Sequence, residues 1–196
     1  LGLSDKDSET LQKAQNLSEK DPRVQISVSE GHRDRARILH SILKRARSER
    51  IVIGSVDLSV PLGDLLKLVQ NLTDQENPVE AVFGDRTRKK DSPFLGTNTP
   101  KNRFEIMWMN ILYETKKSFL RDPFCSAVAI KKSSLSPHLD ELKPAGWYLT
   151  MDLFELCRKK GLKTAEVTVF ASSGQTEHHS RFRENLLMLR RIFLRS

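Results

Sequence analysis

An α/β fold, with a mostly parallel sheet flanked by helices in one domain over residues 1–196, is what the sequence predicts. Three observations point to it. Helical and strand periodicities alternate along the chain. The strand-like runs are short and apolar, as strands covered on both faces are. Each such run leads into a Gly- or polar-rich segment, and ligands bind at the carboxyl ends of strands in sheets of this kind.

The elements follow in order. Ser8 to Glu19 reads as a helix with Leu11, Ala14 and Leu17 at helical spacing, with Asp5 or Asp7 able to cap it and Asp21-Pro22 stopping it. Val24, Ile26 and Val28 alternate as a strand. Asp34 to Arg47 reads as a helix with Ile38, Leu39, Ile42, Leu43 and Ala46 on one face. Arg50 to Gly54 reads as a buried parallel strand. Leu62 to Leu72 is a helix behind Pro61, a residue favoured at helix starts. Val79 to Phe83 is a strand running into Gly84-Asp85-Arg86.

The second half begins with residues 87–102, a polar loop of about 15 residues, a length that is usually functional or disordered. Arg103 to Leu120 reads as a helix, 127–130 as a strand, and Tyr148 to Lys160 as a helix closed by Gly161 at its C′ position. Lys163 to Phe170 alternates as a strand through Ala165, Val167 and Val169. Residues 181–195 form a basic amphipathic helix with Phe182, Leu186, Leu189, Ile192 and Phe193 on one face. That helix either docks on the domain or lies on an anionic membrane surface.

Composition narrows the classes. Lys and Arg number 33 against 25 Asp and Glu, a net charge of +8, with a pI near 9.6. This balance favours anionic partners. Nucleic acid is disfavoured, because no nucleic-acid-binding signature accompanies the basic clusters. No run reaches the roughly 18–20 apolar residues of a membrane span. Two cysteines, Cys125 and Cys157, make no disulfide framework and no metal spacing, so a reducing, cytoplasmic setting is expected. Cys125 reads as a small buried residue rather than a nucleophile. His138, after Pro137, reads as a loop residue, and His178-His179 as surface residues of a polar loop, with contact to a phosphate or metal the alternative.

Two strand ends carry chemistry. Ser55-Val56-Asp57-Leu58-Ser59 follows the strand at 50–54, and a carboxylate there can ligate a divalent cation that in turn holds a diphosphate. Gly84-Asp85-Arg86 ends the next strand, where Gly permits close approach and Arg can pair with phosphate through its fork.

Taken in order, these segments resemble the family 2 glycosyltransferases of the GT-A fold, nearest the dolichyl-phosphate mannose and glucose synthases. The stretches that carry the resemblance are Leu3-Ser4-Asp5-Lys6-Asp7-Ser8, His32-Arg33-Asp34-Arg35-Ala36, Ser55 to Ser59 and Gly84-Asp85-Arg86. Further along come Asp122-Pro123-Phe124-Cys125-Ser126, Gly146-Trp147-Tyr148-Leu149-Thr150-Met151-Asp152, Glu166-Val167-Thr168-Val169 and Ser180-Arg181. The order and spacing match over nearly the whole chain.

The resemblance implies transfer of a sugar from a nucleotide-sugar to a polyprenyl phosphate or another hydroxylic acceptor. It implies Mg2+ or Mn2+ held by Asp57. Asp5, Arg33, Asp57, Arg86 and Arg181 would bind the donor, and Asp57 and Asp152 would be catalytic. A lipid-phosphate acceptor would place the protein in the cytoplasm, peripherally at the membrane. The family's first strand and helix have no counterpart here and Leu1 is not Met, so an N-terminally shortened chain is expected. Four positions depart from the family pattern: Ser55, Asp34, Asp85 and Thr150. They motivate an alternative, a catalytically degenerate domain that binds or scaffolds.

Overall fold

The computed structural model describes residues 2–4, 8–29, 42–54, 60–86, 120–122, 125–142 and 149–170. The expected helix at 103–120 except Leu120, the expected helix at 181–195, the loop at 87–102 and the start of the helix at 34–47 lie outside them.

The chain opens with β1 (Gly2–Ser4), α1 (Ser8–Lys20) and β2 (Ser27–Ser29). β1 and β2 pair in parallel, with Leu3 opposite Val28. Of the face expected on α1, Ala14 is buried while Leu17 stands 48% exposed. The helix stops where Asp21-Pro22 predicts. Asp21 then accepts from both the backbone N–H and the guanidinium of Arg23 and forms the turn into β2.

A four-stranded sheet follows. Its strands are β3 (Arg50–Ile53), β4 (Ala81–Asp85), β5 (Val128–Lys131) and β6 (Thr164–Thr168), in the spatial order β3-β5-β4-β6. β4 and β6 pair in parallel; β5 pairs antiparallel with both β3 and β4. Three strands therefore run one way and β5 is inserted against them. The reading of 50–54 as a buried parallel strand is corrected on both counts. Among the described residues β3 pairs only with β5, antiparallel, and Val52 is 38% exposed. A four-residue apolar run carries no record of strand direction or of what covers its second face.

Helices cover the two faces. α2 (Leu62–Leu72) begins after Pro61, as expected, and buries Leu68 and Leu72. They pack with Val82, Ala127, Ala129 and Val169 on one side of the sheet. On the other side α3 (Lys132–Leu135), a 3-10 helix (Ser136–Glu141) and α4 (Leu149–Lys159) pack against Ala81, Phe83, Val128 and Ile130. Alternate residues of β4 and β5 thus enter opposite clusters, the two-residue period of a strand buried on both sides. Phe83 meets Phe154 of α4 edge to face, with ring centroids 5.5 Å apart. His138, expected in a loop, lies in the 3-10 helix, 3.6 Å from Glu141.

The end of α4 shows why a glycine was needed. Gly161 has φ +66°. The Leu162 N–H donates to the Cys157 carbonyl and the Gly161 N–H to the Arg158 carbonyl. This 6→1 and 5→2 pair closes the helix with a left-handed residue that favours Gly.

Candidate functional site

The carboxyl end of β4 organises the site. All five β4 residues are buried. Gly84 belongs there for a packing reason: a Cβ would lie 2.8 Å from Cys125 Sγ and 3.2 Å from the Ala127 carbonyl oxygen. Its N–H donates to that carbonyl at 2.9 Å. The close approach expected of this glycine is made to the segment leading into β5.

Arg86 leaves the strand and meets Asp122. Its Nε donates to Oδ2 at 2.6 Å, Nη2 to Oδ1 at 2.9 Å, and its backbone N–H to Oδ2 at 3.1 Å. The two side chains are 13% and 0% exposed. Burial works against the guanidinium charge, but the bond to Asp122 and the nearby charge of Asp85 outweigh it and raise the Arg86 pKa. The fork that sequence reading assigned to a phosphate is here closed by a carboxylate of the same chain.

The surroundings are acidic and dry. Asp85 is 1% exposed. Glu166 of β6 accepts from the Arg121 N–H, and its pKa is raised, first by burial and then by Asp85 and Asp122. Burial pushes the Cys125 thiol up to about 12 and Cys157 up to about 11. Neither supplies a thiolate near neutral pH, which agrees with the reading of Cys125 as a buried small residue.

α4 is tied to the same segment. Thr150 is buried and donates to the Cys125 carbonyl at 2.8 Å. This bond sets the first turn of α4 beside Cys125; Asp152, in the same turn, is half-buried.

A second tie fixes the end of the sheet. Asp64, buried in the first turn of α2, accepts the Phe170 N–H at 2.5 Å and also bonds Lys67.

Of the expected site residues, Arg86 and Asp152 are described: Arg86 pairs with Asp122, and Asp152 lies half-buried in the first turn of α4. Asp5, Arg33, Asp57 and Arg181 lie outside the described residues. Sequence reading missed Asp122, Asp64 and Glu166 as working groups. Asp122 was visible only as part of an Asp-Pro pair, 36 residues from its partner. Among the described residues no three His, Cys, Asp or Glu side chains converge as a metal site. No described helix is long and apolar enough to cross a membrane.

No protein-family model matches the chain, and no curated protein is similar to it in sequence. Solved structures are similar in fold. A mannosyltransferase from Pyrobaculum calidifontis, in complex with GDP-Man and Mn2+, superposes with a TM-score of 0.57 at 17% identity. The match covers 96% of this chain and 51% of that one. Glucosyl-3-phosphoglycerate synthase from Mycobacterium tuberculosis, with Mn2+, UDP-glucose and phosphoglyceric acid, gives 0.58 at 15% identity, over 97% of this chain and 64% of that one. The chain thus spans between half and two thirds of the length of these enzymes. Its architecture, a mixed sheet between helical layers, is that of the GT-A glycosyltransferases.

Proposed function

We propose that the chain is a glycosyltransferase domain that moves a sugar from a nucleotide-sugar donor to a hydroxylic or lipid-phosphate acceptor. The observation that supports this most is the fold likeness to two nucleotide-sugar enzymes, with Gly84-Asp85-Arg86 at the carboxyl end of the inner strand β4. The donor would lie across the carboxyl ends of β3 and β4, held by Asp5, Arg33, Asp57 and Arg181. A divalent cation, Mg2+ or Mn2+, would sit at Asp57 and offset the diphosphate charge.

The chain's own groups then divide the work. Arg86 meets the diphosphate only if phosphate displaces Asp122 from its fork, an exchange of one bidentate anion for another. Otherwise the Arg86–Asp122 pair shapes the floor of the site. Asp152 would help to orient the acceptor. An acceptor phosphate is its own nucleophile and requires no strong base.

A second reading is favoured by one observation, the closed Arg86–Asp122 pair. In it the domain binds a nucleotide-sugar or a partner protein without transfer.

Thermal unfolding with UDP- and GDP-sugars, with and without Mn2+, on the wild type and Asp57→Ala, tests the proposal. A donor at 100 times its Kd stabilises by about 2.7 kcal/mol. A Mn2+-dependent rise in Tm with one donor, lost in Asp57→Ala, is expected. No rise with any donor would overturn the transferase reading. A donor shift without sugar release in an end-point assay would leave the binding module.

A further inference from the structure

A cleft far from the candidate site carries a separate charge pattern. It opens between the segment before β2 and the helical turn at residues 42–45. Its volume is about 310 Å³ and its lining is Arg23, Gln25, Ile26, Ser27 and, opposite, Ile42 and Arg45 to Arg47. Three of these eight residues are arginines and none is acidic.

Two of the three arginines are not consumed elsewhere. Among the described residues, Arg45 and Arg47 make no hydrogen bond and no ion pair, and both are exposed. A helix end attracts cations through its free carbonyls, but the Ala46 carbonyl is already taken by Lys132 Nζ at 2.6 Å. Glu49, the nearest acid along the chain, is turned onto Ser133. Arg23 is held in place by Asp21, which fixes its guanidinium at the rim. The wall beneath is apolar through Ile26, Ile42 and Ala46.

The cleft is also distinct from the site at Arg86. β3 and β4 run in the same direction on either side of β5. Arg47 precedes β3 and Arg86 follows β4, so they stand at opposite ends of the sheet.

We propose that this cleft is a second binding site, for a phosphate-bearing small molecule whose phosphate lies between Arg45 and Arg47 and whose remainder rests on Ile26 and Ile42. Guanidinium forks match phosphate oxygens, and the volume suits a compact phosphate ester rather than a polymer. A soluble phosphate ester and the phosphate head of a lipid share this chemistry.

Titration calorimetry of the full chain with inorganic pyrophosphate, in chelator and at fixed ionic strength, tests it. One saturable site is expected. Arg45→Glu/Arg47→Glu should weaken it by about a hundredfold. Arg45→Gln/Arg47→Gln should weaken it in the same direction without reversing charge, and both variants should keep the wild-type unfolding temperature. Unchanged affinity in both double variants overturns the proposal. So does a loss confined to Arg33→Gln/Arg181→Gln, which would put the anion in the proposed donor site. Co-sedimentation with phosphatidylcholine vesicles, with and without phosphatidic acid, separates the sources. Binding to phosphatidic acid that is lost in the Arg45/Arg47 variants assigns a lipid head group. Pyrophosphate binding without vesicle binding assigns a soluble ester.

Discussion

β3 and β4 flank the same strand and point the same way, yet they sit in opposite environments. β4 is buried from end to end, and its last residues pass into a dry Arg86–Asp122 pair. β3 has one residue in four buried, and among the described residues it has a single partner. Both are short apolar runs that end in a segment expected to meet the donor. The difference teaches that apolar content marks a strand but not its rank in the sheet. β4 owes its burial to having a partner on each side and a helical layer on each face.

The contrast can be sharpened by substitution. The largest effect is expected at the end of β4. Asp122→Ala strands the Arg86 charge in a buried place and should cost about 3–5 kcal/mol in denaturant unfolding. Arg86→Met/Asp122→Leu should recover much of that loss, because it removes both charges together. Phe83→Ala, at 1% exposure and in contact with Phe154, should cost about 3–5 kcal/mol by the same measurement.

Gly84→Ala should cost about 1–3 kcal/mol, since its Cβ meets Cys125 Sγ at 2.8 Å. Adding Cys125→Ala should return part of it, as the Ala127 contacts at 3.2 Å remain.

Glu166 gives a pH signature. Its folded-state pKa lies above the ordinary value of 4.5, chiefly through burial. Its contribution to stability is therefore fully present below that value and is lost as pH rises through the folded-state pKa. Glu166→Gln should flatten this decline and raise Tm at neutral pH relative to wild type. The smallest effect belongs to β3: Val52→Thr, at 38% exposure, should stay within about 0.5 kcal/mol of wild type. A cost at Val52 as large as that at Phe83 would erase the distinction between the strands.

What was legible in the sequence was local. Pro61 and a clean helical period place α2 at its observed bounds, and Gly161 marks the end of α4. The GT-A architecture was legible too, from the order of segments rather than from any one of them. The reversed direction of β5 was not, because pairing order is decided by contacts between segments that periodicity does not connect. The strand read as Val79 to Phe83 begins and ends two residues later. Gly84 and Asp85 extend it by pairing with β6, against their own low strand preference. At the site, Arg86 was legible as a cation at a strand end. That Asp122 would close its fork was not, since nothing between them marks the pair.

The insertion of β5 also bears on how the molecule comes into being. Every ladder in the four-stranded sheet needs a strand that begins at Val128 or later. β3 and β4 leave the ribosome first and form no ladder with each other. A nascent chain ending near Leu120 therefore holds none of the described ladders of the four-stranded sheet, and the apolar runs of β3 and β4 wait for β5, which ends at Lys131, and for β6, which ends at Thr168. Such late, non-local closure is slow. Arrested chains of this length should be digested readily by protease, and resistance should appear only once the segment through Thr168 has emerged.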